Sequence, residues 1–309
     1  MKPSEPTISV VIPTFNRQPI LARALAALAR QDLAPERFEV LVVDDGSSDD
    51  TWGWLQGRDF AFHCRPLRQE NQGQGNARNF GVREATGELI LFLGDDIFLD
   101  PNALSRHAAR HDEVRSAGVR AAVLGHIRWA AELRVSSFMR WIGERGLQFG
   151  FALIEDPSNV PFNFFYTSNI SVARRELLAA GLFDPRFKTY GWEDIELGYR
   201  LARRGVKIVY EPEADAAHYH PTNLKSFARR QYRAGVTGAL FYRLHPELGE
   251  FLQVPRASQP PEPGWRRALR RLLCRMMEPL PEAPWPELYD RAMWDCYLEG
   301  LRKGLAESG

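Results

Sequence analysis

Two hydrophobic rhythms alternate along most of the chain. Short, mainly apolar runs occur at Ile8–Ile12, Phe38–Val43, Leu89–Leu93, Ala121–Ile127 and Val206–Tyr210, and Leu89–Leu93 is unbroken. A run with no polar side has no solvated face, so Leu89–Leu93 is expected as a strand covered on both sides, the habit of parallel sheets, with Ile8–Ile12 and Phe38–Val43 as further buried strands and the other two runs as strands. Phe164–Val172 is expected as a further strand, with Thr167, Ser168 and Asn169 either lining a pocket or bonding the sheet edge. Between the strands, Ile20, Leu21, Ala24, Leu25 and Leu28 recur at helical spacing. Further helices are expected from about Asn76 to Ala85 and over Asn102–Arg110, the latter with Asp100 as cap and Pro101 in its first position. Another carries Leu197 and Leu201 on one face and stops at Gly205; a short one, capped by Ser48 or Asp49, holds Trp52, Trp54 and Leu55. Strand and helix in alternation define an α/β chain with a mostly parallel, doubly wound sheet. Residues 134–161 show neither rhythm. Beyond them, Leu224–Leu244 is an amphipathic helix, Val254–Pro263 a proline-rich linker, and Trp265–Met277 and Pro286–Leu305 two more helices.

In open α/β sheets ligands gather outside the carboxyl ends of the strands. Acidic residues stand at two such ends here: Asp44 and Asp45 after the second run, Asp95 and Asp96 after Leu89–Leu93. They read either as ordinary turn residues or as groups able to hold a divalent cation. The loop NQGQGNARNFG, from Asn71 to Gly81, could bring main-chain amides and Arg78 to a diphosphate, or be a flexible connection with a surface arginine. In the segment GLFDPRFKTYGWEDIELGYR, Asp194 falls in the first turn of a helix, where the macrodipole alone favours an acid, and Glu196 and Arg200 are spaced for an ion pair. His218 and His220 are two apart, which on an extended chain puts them on one side.

Composition narrows the class without naming a chemistry. The 309 residues are 44% hydrophobic and 26% charged with a net charge of +1, which gives no global pull toward nucleic acid. No apolar run approaches the 18 or so residues of a membrane span, and MKPSEPT lacks the apolar centre of a signal peptide. A cytoplasmic protein is expected. Cys64, Cys274 and Cys296 lack metal-type spacing and suit a reducing compartment.

Taken in order, the stretches ISVVIPTFNR, VLVVDDGSSDDT, NQGQGNARNFGVREATGELILFLGDDI and GLFDPRFKTYGWEDIELGYRLARRGVKIVYEPEADAAHYHP resemble the family 2 glycosyltransferases, which have the Rossmann-like GT-A fold. The resemblance covers residues 7–222. It implies a catalytic domain over 1–222, with a nucleotide-sugar half near 1–100 and an acceptor half near 101–222, followed by a C-terminal helical extension over 223–309. It also implies a nucleotide-diphosphate sugar donor, UDP-linked, a saccharide or lipid-linked acceptor, and no nucleic acid. Pro13, Phe15 and Asp45 would then lie at the nucleotide base, Arg78 beside the nucleotide and Asp95 near its ribose. Asp96 corresponds to the last residue of the family's Asp-x-Asp metal motif, although Gly94 stands where its first Asp usually is. With His218 it would hold Mn²⁺ or Mg²⁺, the imidazole favouring Mn²⁺ slightly. Gly-Trp-Glu-Asp is similar to the Trp-Gly-x-Glu-Asp segment of galactosyl and N-acetylgalactosaminyl transferases. That similarity implies Asp194 as base of an inverting displacement, with Trp192 and Glu193 toward the acceptor or donor sugar. Two other classes share parts of this pattern. A sugar nucleotidyltransferase would need a glycine-rich triphosphate loop that IPTFNRQP lacks, and a non-catalytic nucleotide-sugar binding module could dispense with Glu193-Asp194.

The C-terminal extension raises a separate question. Trp265, Leu269, Leu272 and Met276 form one stripe of a helix that also carries Arg266, Arg267, Arg270, Arg271 and Arg275. Such a helix either lies peripherally on the inner face of a membrane, or packs its stripe on the catalytic domain, on Leu288, Ala292 and Met293 or on a second subunit of a homodimer.

Overall fold

The computed structural model describes residues 7–280 and 282–307. In chain order the elements are β1 (Ile8–Thr14), α1 (Gln18–Leu28), β2 (Phe38–Asp44), α2 (Thr51–Gln56), β3 (His63–Arg68), α3 (Gln74–Glu84), β4 (Leu89–Leu93), β5 (Ile97–Leu99), α4 (Ala103–Ser116), β6 (Ala121–Gly125) and β7 (Arg128–Trp129). Then follow α5 (Ser137–Glu144), β8 (Asn169–Ala173), α6 (Arg174–Ala180), α7 (Glu193–Arg203), β9 (Lys207–Glu211), β10 (Ala216–His218), α8 (Leu224–Leu244), α9 (Val254–Ala257), α10 (Gly264–Met277) and α11 (Glu287–Ala306).

The apolar runs become the central sheet. Its seven strands lie in the order β3-β2-β1-β4-β8-β6-β9. Every neighbouring pair is parallel except those of β8, which runs antiparallel to both β4 and β6. β1, β2, β4 and β6 are buried almost throughout, as runs lacking a polar face require. A second, three-stranded sheet, β5-β10-β7, sets Ile97 opposite His218. That register delivers the chain after β10 to Asp96, whose carbonyl accepts Tyr219 N–H at 2.9 Å.

The chain divides into two compact units. One runs to Glu132 and adds Leu153–Lys188 and Asp194–His220; the other comprises Leu133–Ala152, Thr189–Glu193 and the chain from Pro221 onward. In the second unit α8 and α11 approach closely through glycines. A Cβ at Gly235 would stand 2.0 Å from Tyr297 O, and one at Gly300 the same distance from Tyr232 O, so any larger residue would force the helices apart.

Several local expectations change. The segment 134–161 contains α5, whose N-cap Ser136 accepts Met139 N–H and whose Phe138 packs edge-on against Phe227 and Tyr289. Its apolar residues serve contacts distant in sequence, which local periodicity does not reveal. The strand expected over 164–172 begins only at Asn169, because Phe164 and Phe165 turn back in a short 3₁₀ segment. Phe165 is buried under α7, where a Cβ at Gly198 would lie 2.5 Å from its own Cβ. α4 starts at Ala103 behind Asn102 rather than Asp100, whose carboxylate goes to Arg128 at 2.9 Å, and it continues to Ser116. The expected linker over 254–263 holds the one-turn α9, tied down by Tyr297 Oη–H to Leu252 O and Arg302 Nε–H to Ala257 O. The stripe on α10 does not pack on Leu288, Ala292 and Met293: Trp265, Leu269, Leu272 and Met276 are exposed, and the helix buries Arg270, Cys274 and Met277 instead.

Candidate active site

Strand order explains which side chains meet. β1 lies between β2 and β4, so the loops leaving their carboxyl ends are neighbours. From the end of β1, Thr14 Oγ1–H donates to Asp95 Oδ2 at 2.9 Å, and Arg17 reaches both carboxylates, Nη1 to Asp95 Oδ1 at 2.8 Å and Nη2 to Asp96 Oδ2 at 2.9 Å. From the end of β10, His220 Nδ1 comes to 3.1 Å from Asp96 Oδ2 and His218 Nε2 to 3.6 Å from the same oxygen. The two imidazoles stack at 5.3 Å, and Trp129 stacks on the far face of the cluster against His218 at 5.6 Å.

Burial sets the charges here. Asp95 and Asp96 are 6% and 8% exposed. Loss of water pushes the Asp95 carboxyl up to about 6 despite Arg17 beside it. Burial opposes ionisation of Asp96 too, but His218, His220 and Arg17 outweigh it and hold that carboxyl well below the usual range. Asp96, His218 and His220 each offer a ligand atom, all within 4.8 Å of one another. One carboxylate oxygen and two imidazole nitrogens form a donor set that could hold a divalent cation.

Asp45 stands at the end of β2 with its amide bonded to Thr14 O. Its carboxylate gathers the following loop, accepting from Gln69 Nε2 (2.7 Å), Gln72 N (2.9 Å) and Gly73 N (2.9 Å). Gly73 adopts φ +88°, a conformation that favours glycine, and α3 begins directly after it. Arg78, buried on α3, has its guanidinium 5.6 Å from the ring centre of Phe183. Neighbouring Asn79 exchanges two hydrogen bonds with the Phe183 backbone, locking α3 to that segment. Phe15 is 44% exposed beside Pro13, with Asn16 behind it at φ 55° binding the amides of Ser48 and Asp49.

Asp194 is half-buried in the first turn of α7, where Oδ1 accepts Ile195 N–H at 2.9 Å. Glu196 and Arg200 form the expected pair at 2.7 Å. Trp192 and Glu193 belong to the helical unit. Trp192 holds φ 70°, its indole N–H donates to Ala234 O at 2.7 Å, and its ring packs near Phe241, Phe251 and Tyr297. Glu193 is 4% exposed and accepts Gly191 N–H. The structure therefore groups Asp95, Asp96 and His218 directly. It adds Arg17, Thr14, Trp129 and His220, of which the sequence reading had weighed only His220. Arg17 ends the IPTFNR turn, and the adjacency of β1 to β4 is what brings it to the carboxylates.

A second polar cluster lies buried in the sheet. His107 and His111 on α4 face Ser171, each with a ring nitrogen 2.8 Å from Ser171 Oγ, and His107 Nε2 is 3.0 Å from Asn169 Oδ1. Asn169 Nδ2 donates to the carbonyls of His126 and Ala214, which fixes Oδ1 as the acceptor toward His107. Burial pushes His107 down to about 4 and His111 to about 3, so both are neutral at pH 7. Asn169 thus bonds neighbouring backbone in this cluster.

The central sheet, parallel except at one strand and with helices between its strands, has the α/β architecture of the GT-A class. The profile of glycosyl transferase family 2 matches residues 9–178, and the chain belongs to that family. It is 31% identical over 278 residues to validoxylamine A glucosyltransferase of Streptomyces hygroscopicus subsp. limoneus, covering 79% of this chain and 58% of that protein. It is 28% identical to the hyaluronan synthase of Pasteurella multocida over 74% of this chain and 26% of that one. The chain thus spans about three-fifths of the first relative's length and about a quarter of the second's. Among solved structures, the mannosyltransferase PcManGT of Pyrobaculum calidifontis in complex with GDP-Man and Mn²⁺ aligns with a TM-score of 0.62 at 17% identity, covering 99% of this chain and 88% of that one. Residues 1–349 of S. aureus TarS in complex with UDP align at 0.54 and 17% identity, over 97% and 90%. At these identities the structural likeness concerns the fold.

Proposed function

We propose that the protein transfers a sugar, with inversion, from a nucleotide-diphosphate sugar, UDP-linked, to a hydroxyl of a saccharide or lipid-linked acceptor. The observation that carries this reading is the meeting of Asp96, His218 and His220 beside Asp95 at the edge of β4, in the unit that also bears Asp194. In this reading residues 1–100 hold the donor, 101–222 the acceptor, and 223–309 form an extension.

Pro13, Phe15 and Asp45 take the base. A carboxylate offers about four lone-pair positions; three are used on the 69–73 loop, which leaves one for a uracil N–H. Arg78 stands beside the nucleotide and Asp95 near its ribose. Asp96 and His218, with His220, hold Mn²⁺ or Mg²⁺, which when bound supplies positive charge to the departing diphosphate. Arg17 balances the two aspartates and shares Asp96 Oδ2 with the imidazoles. Asp194 takes the proton from the attacking hydroxyl, the task a carboxylate performs when it faces the nucleophile. Trp192 and Glu193 serve the sugars' side, the indole packing on Ala234, Phe241, Phe251 and Tyr297 within the helical unit. UDP is the carrier implied by the family resemblance; the structural neighbours include TarS with UDP and UDP-GlcNAc and the mannosyltransferase with GDP-Man, so both carriers belong in the panel.

The test is release of nucleotide from a panel of nucleotide sugars, with and without Mn²⁺, followed by Asp194→Asn. UDP release that needs Mn²⁺ is expected. Asp194→Asn should lose about 10²–10⁴ in kcat with donor affinity kept by calorimetry, and the product should carry the anomeric configuration opposite to the donor's by NMR. A retained configuration, pyrophosphate release from a nucleoside triphosphate and a sugar phosphate, or binding without any turnover would each replace the reading.

A further inference from the structure

On α10 the residues with the greatest apolar surface face water. Trp265 is 65% exposed, Leu269 49%, Leu272 54% and Met276 64%. Spaced four, three and four apart, they fall on one narrow line along the helix. The opposite side carries the buried residues Arg270, Cys274 and Met277. There Arg270 is paired with Asp295 at 2.6 Å and with Glu262. The helix has turned a guanidinium toward the protein and its tryptophan and leucines toward solvent, the reverse of a helix docked by its apolar face. Leu280 and Trp285 in the connector to α11 are exposed as well. Contiguous apolar surface of this kind marks an interaction site.

Charge identifies the occupant. α10 contains five arginines and no acidic residue, and exposed Arg266 and Arg275 flank the stripe on either side. Next to it, a cavity of about 570 Å³ between α8, α10 and α11 has Lys225, Arg229, Arg233, Arg271 and Arg275 in its lining. Its two carboxylates are engaged, Glu278 with Leu224 N–H and Glu299 with Arg267 and Arg271. A second copy fits poorly, since pairing α10 with itself would oppose arginines to arginines.

We propose that α10 lies in the interface of a membrane rich in anionic phospholipid. The stripe enters the acyl boundary, and the arginines with the basic cavity lining meet lipid phosphates. No described helix is long and apolar enough to cross a membrane, so the contact is interfacial. This inference is independent of the proposed transfer reaction.

The experiment sediments the purified full chain with phosphatidylcholine vesicles, with and without phosphatidylglycerol. Binding to the anionic vesicles at low salt and release at high salt are expected. Leu269→Glu with Leu272→Glu, and separately Arg266→Gln with Arg275→Gln, should each weaken binding by on the order of tenfold or more. All four positions are exposed, so the melting temperature should hold. Equal binding to neutral vesicles, no binding to anionic ones, or parent-like binding by the Leu269/Leu272 variant would overturn the proposal. A dimer that this variant splits, with no vesicle binding by the parent, would reassign the stripe to self-association.

Discussion

The molecule carries two pairs of histidines, and they live by opposite rules. His107 and His111 are four apart on a helix, buried, and hydrogen-bond to a hydroxyl and an amide oxygen. Those partners suit a neutral ring, so burial wins and both rings are neutral at pH 7. His218 and His220 are two apart on an extended segment and share a carboxylate oxygen with an arginine. Here the partner is an anion that burial alone does not neutralise, because Arg17 and the imidazoles hold Asp96 ionised. What separates a packing histidine from a ligand candidate is the partner across the gap, which spacing does not disclose.

That contrast can be broken in graded steps. The largest effect falls on Asp96, the group the first pair lacks: Asp96→Asn should bring Mn²⁺-dependent nucleotide release to background while the circular dichroism spectrum stays unchanged. Next, His218→Ala and His220→Ala should each weaken Mn²⁺ binding at least as much as loss of an outer-shell partner does, about 10–100-fold. If one of them binds Mn²⁺ like the parent, the other is the sole imidazole ligand. His107→Ala should do the converse. It strands Asn169 Oδ1 and removes one of the two rings at Ser171 Oγ, costing about 1–3 kcal/mol of stability by denaturant titration, with Mn²⁺ affinity untouched. The smallest signal is a pH dependence. Both folded-state values lie below the ordinary 6.5, so the unfolded chain binds more protons between roughly pH 4 and 6.5. The contribution of this pair is complete above pH 6.5 and is lost as pH falls, on the order of 1–2 kcal/mol per ring by pH 5. Melting temperature should therefore fall from pH 7 to 5 more steeply in the parent than in His111→Gln, and a flat profile in the parent would contradict the neutral-ring assignment.

The sheet and the edge that carries the site were legible because each rests on local pattern. Leu89–Leu93 has no polar face, so it could only be an enclosed strand, and Asp95 and Asp96 had to emerge at its end. The rest depends on neighbours distant in sequence. Arg17 meets Asp95 and Asp96 because β1 pairs with β4, and the register of β10 on β5 brings His218 and His220 to Asp96. Whether Asn169 lines a pocket or bonds the sheet edge turns on α4, which sets His107 against its Oδ1. On α10 the periodicity found the stripe correctly, but whether that stripe faces protein or solvent was decided by Asp295 and Glu262 capturing Arg270.

The central claim is that Asp96 and its histidines hold a cation for a nucleotide diphosphate, and calorimetric titration of UDP tests it most directly. With the parent, Mn²⁺ should tighten UDP binding, and Asp96→Asn should lose that gain while retaining the weaker, Mn²⁺-independent binding. UDP affinity that is the same with and without Mn²⁺ in the parent, or a gain that survives in Asp96→Asn, would contradict the account.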